Sequence, residues 1–215
     1  MDLSFTKVGF LPEQDPIRSF DPDSELSMLD ELGHDLPSLL EHSDFRDRVR
    51  RLKIPAWPDD QPAAATLSLL RLYYVRVGFL AWAYINQVGQ PPAKVLPHNI
   101  AMPLCHACKL LDRPPILSYD GYALFNWRRF DPDGPIALDN IDTLQNFVHL
   151  YDEHWFILVH IEIESIAARI MASINRIQCA MESTDEETVN NELTQIARAV
   201  SDAFASLDAL PLPRS

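Results

Sequence analysis

The chain has 215 residues, enough for one large domain or two small ones, and 47% of them are hydrophobic, enough for a sizeable core. Its 18 Lys and Arg stand against 31 Asp and Glu, a formal net charge of −13. That balance argues against nucleic acid and against an anionic membrane as partners, since both demand a basic face.

Residues 1–23 are rich in Pro and Asp and lack periodicity, which predicts an extended arm. A helix is expected over 24–32, with Ser24 as N-cap and Gly33 as stop. Leu36-Pro37 then opens a short helix to about 41. Asp44 is placed to cap another over 45–53, with Phe45, Val49 and Leu52 on one face. The segment 54–62 reads as a proline-rich loop. The helix 63–87 is apolar nearly all round, so it should be buried on most sides. Its run 67–85 has about the length of a membrane span. Arg71 and Arg76, with the polar atoms of Tyr73, Tyr74 and Tyr84, instead make it the central helix of a bundle.

Gly89, Pro91 and Pro92 break that helix, and Pro97 suits the first turn of a helix over 98–111. Pro114 and Pro115 force an extended entry into a loop where Tyr119, Tyr122, Phe125 and Trp127 fall close together. Asp120-Gly121 turns the chain there. Such a loop suits a pocket wall and an ordinary buried loop equally. The DPDGP run at 131–135 is a turn, and a short helix is expected over 138–146. A long amphipathic helix follows over 152–182, with Phe156, Val159, His160, Ile163, Ala167, Ile170 and Ile174 on one face. A second, over 185–208, carries Val189, Leu193, Ile196, Val200 and Phe204, with Thr184 and Glu187 as a capping box. Nothing reads as a sheet, so the class is all-α. The change in texture near 148–152 divides a small helical domain, 1–150, from the start of a larger one, 151–215. Large exposed apolar patches are expected on the last two helices.

Three cysteines, an odd number, do not form a disulfide framework. They point to a reducing compartment, and the N-terminus shows no basic stretch before an apolar core, so a cytoplasmic protein is expected. Cys105-His106-Ala107-Cys108 has C-x-x-C spacing. A zinc site needs a second ligand pair and a thioredoxin motif needs a βαβ unit, so two half-buried residues on one helix are the simpler account. His149, Asp152, Glu153 and His154 read as a charged helix start, its acids favoured by the helix dipole. No metal ligand set is expected. His160 sits mid-helix on the apolar face. It is either a core histidine with a hydrogen-bond partner or a polar group aimed into a pocket.

Several blocks resemble the indoleamine 2,3-dioxygenase family of haem enzymes. They are LPHNIAMPLC at 96–105, RPPILSYDGYALFNWRRFDP at 113–132, LDNIDTLQNF at 138–147 and WFILVHIEIESIAA at 155–168. Order and spacing fit from about residue 8 onward, over the family's first half. The resemblance implies haem b as cofactor, L-tryptophan or a related indoleamine with dioxygen as substrates, and opening of the indole ring to N-formylkynurenine in tryptophan catabolism. It places Tyr119, Tyr122 and Ala123 on one wall of the distal pocket, and Phe156 and His160 on the helix of the other. Phe156 matches an aromatic against the substrate ring. His160 stands where vertebrate members carry a small hydroxyl residue and where the related tryptophan 2,3-dioxygenases use His. Tyr122 departs from the cysteine of some members. Tyr119, Ala123, Phe156 and His160 are implied cofactor contacts, with His160 the implied catalytic group. The family's iron-holding histidine and carboxylate-binding arginine match positions past residue 215, so a C-terminal segment is an expected partner. A truncated relative that binds haem or a protein partner without turnover is the alternative.

Overall fold

The computed structural model describes residues 8–58 and 63–208. The class is all-α, with a very small sheet. The helices are α1 (Met28–Leu40), α2 (Phe45–Arg51), α3 (Ala63–Ile85), α4 (His98–Leu110), α5 (Tyr151–Glu182) and α6 (Glu186–Asp208). Two strands, β1 (Trp127–Arg129) and β2 (Ile141–Thr143), pair with each other. Among the described residues two compact units result, one within 16–128 with 143–153 and one of residues 8–15, 129–142 and 154–208.

In the first unit α3 is the spine. Leu70, Leu72 to Val75, Val77, Phe79 to Ala81, Ala83 and Tyr84 are all buried, as a helix apolar all round requires. The 13-residue α4 packs Ile100, Leu104, Ala107 and Cys108 inward behind the N-cap Pro97. Arg46 on α2 closes the end of α3 by donating to the carbonyls of Tyr84 and Ile85 and to that of Pro91, at 2.9, 3.0 and 2.8 Å. This satisfies carbonyls that a helix C-terminus leaves without partners. One charge is buried in the spine. Arg76 is held by Asp30 Oδ1 at 2.9 Å, Gln145 Oε1 at 2.8 Å and the Arg18 carbonyl at 3.1 Å.

Two expected helices near the start are one. Ser24 caps only a 3₁₀ turn, Glu25–Ser27, accepting the Leu26 N–H at 3.2 Å. The α-helix then runs through Gly33 and Pro37. Gly33 is no stop, because it is pressed into the core: a Cβ there would lie 2.7 Å from Gln145 Oε1. Burial of Leu29, Leu36 and Leu40 on one face carries the helix past the proline. Asp44 precedes α2 without a side-chain cap, its carboxylate holding Arg48 at 2.8 Å instead. The expected loop 54–62 is irregular over 54–58, and 59–62 lie outside the described residues, as do residues 1–7 of the arm.

The expected helix over 138–146 is not formed. Asn140 donates to the carbonyls of Asp131 and Pro135 and accepts the Asp131 N–H, tying the segment back to the turn before it. Its own backbone pairs across: Phe130 N–H reaches the Asn140 carbonyl at 2.9 Å and Leu144 N–H the Asn126 carbonyl at 3.2 Å. That pairing is the antiparallel sheet the sequence did not announce.

In the second unit α5 and α6 are joined by ion pairs, Arg169 to Asp202 at 2.7 Å and Arg176 to Glu192 at 2.6 Å. The cap of α6 is Asp185, not Thr184: Asp185 accepts the Thr188 N–H at 3.0 Å, while Thr184 takes φ +58°. Glu162 reaches back to the Leu138 N–H at 3.0 Å. Ile157, Leu158, Val159, Ile161, Ser173 and Ala180 are buried in α5, whereas Phe156 is exposed. Met181, Leu193 and Phe204 are more than half exposed. Among the described residues no helix is long and apolar enough to cross a membrane.

Candidate functional site

Within the first unit an aromatic cleft opens between α3 and the loop after α4. It is lined by Trp82, Leu117, Ser118, Tyr119, Tyr122 and Phe147 and has a volume of about 290 Å³. That is the lower end of the range for small-molecule sites.

The loop that forms its wall is held rigidly. Tyr74 on α3 donates to the Ile116 carbonyl at 2.9 Å and accepts the Ser118 N–H at 3.0 Å. Asp120 Oδ1 accepts the Gly121 N–H at 2.8 Å and the Ser118 hydroxyl, and its other oxygen pairs with Arg113. Residues Asp120–Leu124 then form one wide π-turn, a local form that recurs at functional sites. Gly121 permits the turn, since a Cβ there would stand 2.7 Å from the Tyr74 ring. The π-turn brings Tyr122 onto α3, stacked on Phe79 at 5.8 Å and on Phe147 at 6.0 Å between ring centroids. Phe147 in turn lies 4.4 Å from the Trp82 ring.

Glu153, in the first turn of α5, fastens two of these walls. Its carboxylate accepts the N–H groups of Phe147 and Val148, each at 2.9 Å to Oε2, and the Tyr122 hydroxyl at 3.3 Å to Oε1. Burial raises the Tyr122 phenol above its ordinary pKa, and the Glu153 charge raises it further. Tyr122 therefore stays a neutral donor.

Tyr119 and Tyr122 thus share one cleft, and Tyr119 is 44% exposed at its mouth. Ala123, in the same π-turn, is buried at 1% exposure and does not line the cleft. In the other unit Phe156 is 47% exposed, and its ring lies 4.2 Å from that of His160, which is partly exposed. His160 Nδ1 sits 2.7 Å from the Phe156 carbonyl oxygen. In a neutral imidazole that bond places the proton on Nδ1 and makes Nε2 the acceptor nitrogen.

The remaining candidates are structural. Cys105 is exposed and Cys108 is buried; burial pushes the Cys108 thiol up to about 11, which keeps it protonated and unreactive. His149 meets the Ser38 hydroxyl at 3.0 Å and His154 meets Asp142 at 3.1 Å. Among the described residues no group of three His, Cys, Asp or Glu converges on a metal position.

Sequence reasoning missed Trp82, Leu117, Ser118, Phe147 and Glu153 as parts of this arrangement. Trp82 is 44% exposed on an otherwise buried helix, a departure no local pattern announces. Glu153 was legible only as a first-turn acid.

The indoleamine 2,3-dioxygenase family model matches residues 4–211. Indoleamine 2,3-dioxygenase 1 of Rattus norvegicus is 31% identical over 173 residues, covering 80% of this chain and 42% of its own length. The indoleamine 2,3-dioxygenase of Saccharomyces cerevisiae is 31% identical over 189 residues, covering 85% of this chain and 41% of its own. A third, from Aspergillus nanangensis, is 30% identical over 213 residues, 94% of this chain and 49% of its own. The chain therefore spans less than half the length of these relatives. With the match running over nearly every residue, the chain belongs to the indoleamine 2,3-dioxygenase family.

Proposed function

We propose that the protein takes part in the dioxygen-dependent opening of the indole ring of L-tryptophan or a related indoleamine, giving N-formylkynurenine, with haem b as cofactor. Its relatives are named for indoleamine 2,3-dioxygenase activity. The observation that carries the proposal is the aromatic cleft of Trp82, Tyr119, Tyr122 and Phe147. Flat aromatic walls receive an indole by offset and edge contacts and exclude water from it.

The side chains present suit the open face of a planar haem. Phe156 offers an exposed ring, and His160 an imidazole whose Nδ1 is committed to a backbone carbonyl. When bound, haem would supply the binding and activation of dioxygen. Tyr119 and Tyr122 orient the indole, and Ala123 is a small residue of the same turn. Phe156 packs against the ring or the porphyrin edge. His160 Nε2 accepts the indole N–H. In this proposal 1–150 form the small domain and 151–215 open the larger, with the iron's protein ligand outside these residues and the protein in the cytoplasm.

The experiment is spectroscopic. Haem is titrated into the protein as its gene encodes it, and the Soret band is followed as L-tryptophan is added. A tryptophan-dependent shift is expected, and Tyr119→Ala should weaken that dependence while leaving haem loading unchanged. A Soret band indifferent to tryptophan in the wild-type protein would contradict the proposal.

A further inference from the structure

Arg71 lies on α3 one turn before Tyr74, and its guanidinium carbon sits 4.4 Å from the centre of the Phe125 ring. Arg113, just before the double proline, lies 4.7 Å over the Tyr74 ring. The two cations act on each other electrostatically, and Asp120, the carboxylate paired with Arg113, acts on both.

That carboxylate is already spent. One oxygen pairs with Arg113, and the other takes the Ser118 hydroxyl and the Gly121 N–H. Arg71 is left with its ring contact, and among the described residues it has no hydrogen-bond acceptor. Its Nε is fully buried without a partner, and so is that of Arg113. A buried donor nitrogen without a partner is costly, and a guanidinium offers five donors in a rigid fork. Burial, and then the neighbouring Arg113, lower the Arg71 pKa, whereas Asp120 holds Arg113 above its ordinary value against burial. Two cations and one carboxylate leave a local charge of +1 in a chain whose formal charge is −13.

We infer that Arg71 and Arg113 form a binding site for a small oxyanion, a carboxylate or phosphate group that the Arg71 fork receives. The aromatic faces of Phe125 and Tyr74 hold the two guanidinium planes, so little side-chain freedom is lost on binding. Arg113 adds charge without releasing Asp120. The site is separate from the cleft, whose lining includes neither arginine. It therefore stands or falls independently of the dioxygenase proposal.

The test is thermal melting of the purified protein in sodium phosphate, sodium acetate and sodium chloride at equal ionic strength. A ligand that binds only the folded state raises the melting temperature by linkage. The wild type should melt higher in phosphate or acetate than in chloride, and the anion with the larger shift identifies the class received. Arg71→Gln should lose that anion-specific shift, and Arg71→Lys, which keeps the charge and loses the fork, should retain only part of it. Should Arg71→Gln not fold, Arg71→Lys and the wild type still decide the matter. No difference between the anions in the wild type, or a shift of equal size in either variant, would overturn the inference.

Discussion

Glu153 holds one end of the aromatic cleft with a single carboxylate, taking two backbone N–H groups and the Tyr122 hydroxyl. Glu153→Ala leaves those N–H groups without acceptors, which should cost about 1–3 kcal/mol, read as a lower urea midpoint at unchanged slope. An unchanged midpoint would show that water replaces the carboxylate without loss. His160 presents the opposite case. It is partly exposed, with its ring against that of Phe156, so its removal should disturb the fold little. In the haem-loaded protein His160→Ala should lower turnover of L-tryptophan while haem loading and melting temperature stay near wild type. A variant with wild-type turnover and a clearly lowered melting temperature would make His160 a structural residue. The tautomer at His160 depends on a carbonyl four residues earlier, which a helical reading of the sequence contains. The partners of Glu153 are backbone groups in an irregular segment, and backbone groups carry no sequence signature.

The helix α3 shows the same contrast at the scale of an element. Its all-round apolarity was legible, and with it burial on most sides, which includes Tyr73 and Tyr74. Its polar partners were not, because Asp30, Gln145 and Arg18 come from distant segments. Asp30→Asn would leave the Arg76 charge buried without its counter-ion and should destabilise by about 3–5 kcal/mol, measured by chemical denaturation. The long helices α3 to α6 stood out because apolar residues recur along them, all round in α3 and at helical spacing in α5 and α6. The segment 138–146 was misread because Asn140 diverts it by side-chain bonds that compete with a helix. The π-turn at Asp120–Leu124 was legible only as a turn. Alkali tests the buried phenols on α3 and beside it. Burial favours the neutral forms of Tyr73, Tyr74 and Tyr122, so their folded-state pKa values lie above the ordinary value near 10. Their contribution is complete below about pH 10 and is lost as pH rises, because the unfolded phenols ionise first. Stability should therefore fall steeply with pH above that point, and Tyr122→Phe should make the fall shallower. A slope unchanged by that substitution would mean that Tyr122 ionises freely in the folded protein.

For the whole molecule, the family was legible because several blocks occur in order, and the match over residues 4–211 bears this out. Fold class was legible because helical runs, periodic or apolar all round, are written locally. The cleft needed three dimensions, since its walls come from α3, the loop at 117–122 and Phe147. The proposed activity makes one chemical outcome central. Opening an indole ring with dioxygen to N-formylkynurenine places both oxygen atoms in one product. The direct measurement is mass spectrometry of the product formed from L-tryptophan under isotopically labelled dioxygen by the haem-loaded protein as its gene encodes it. N-formylkynurenine carrying both labelled atoms is expected. Product with one labelled atom, or no dioxygen-dependent product from a protein shown to hold haem, would contradict it.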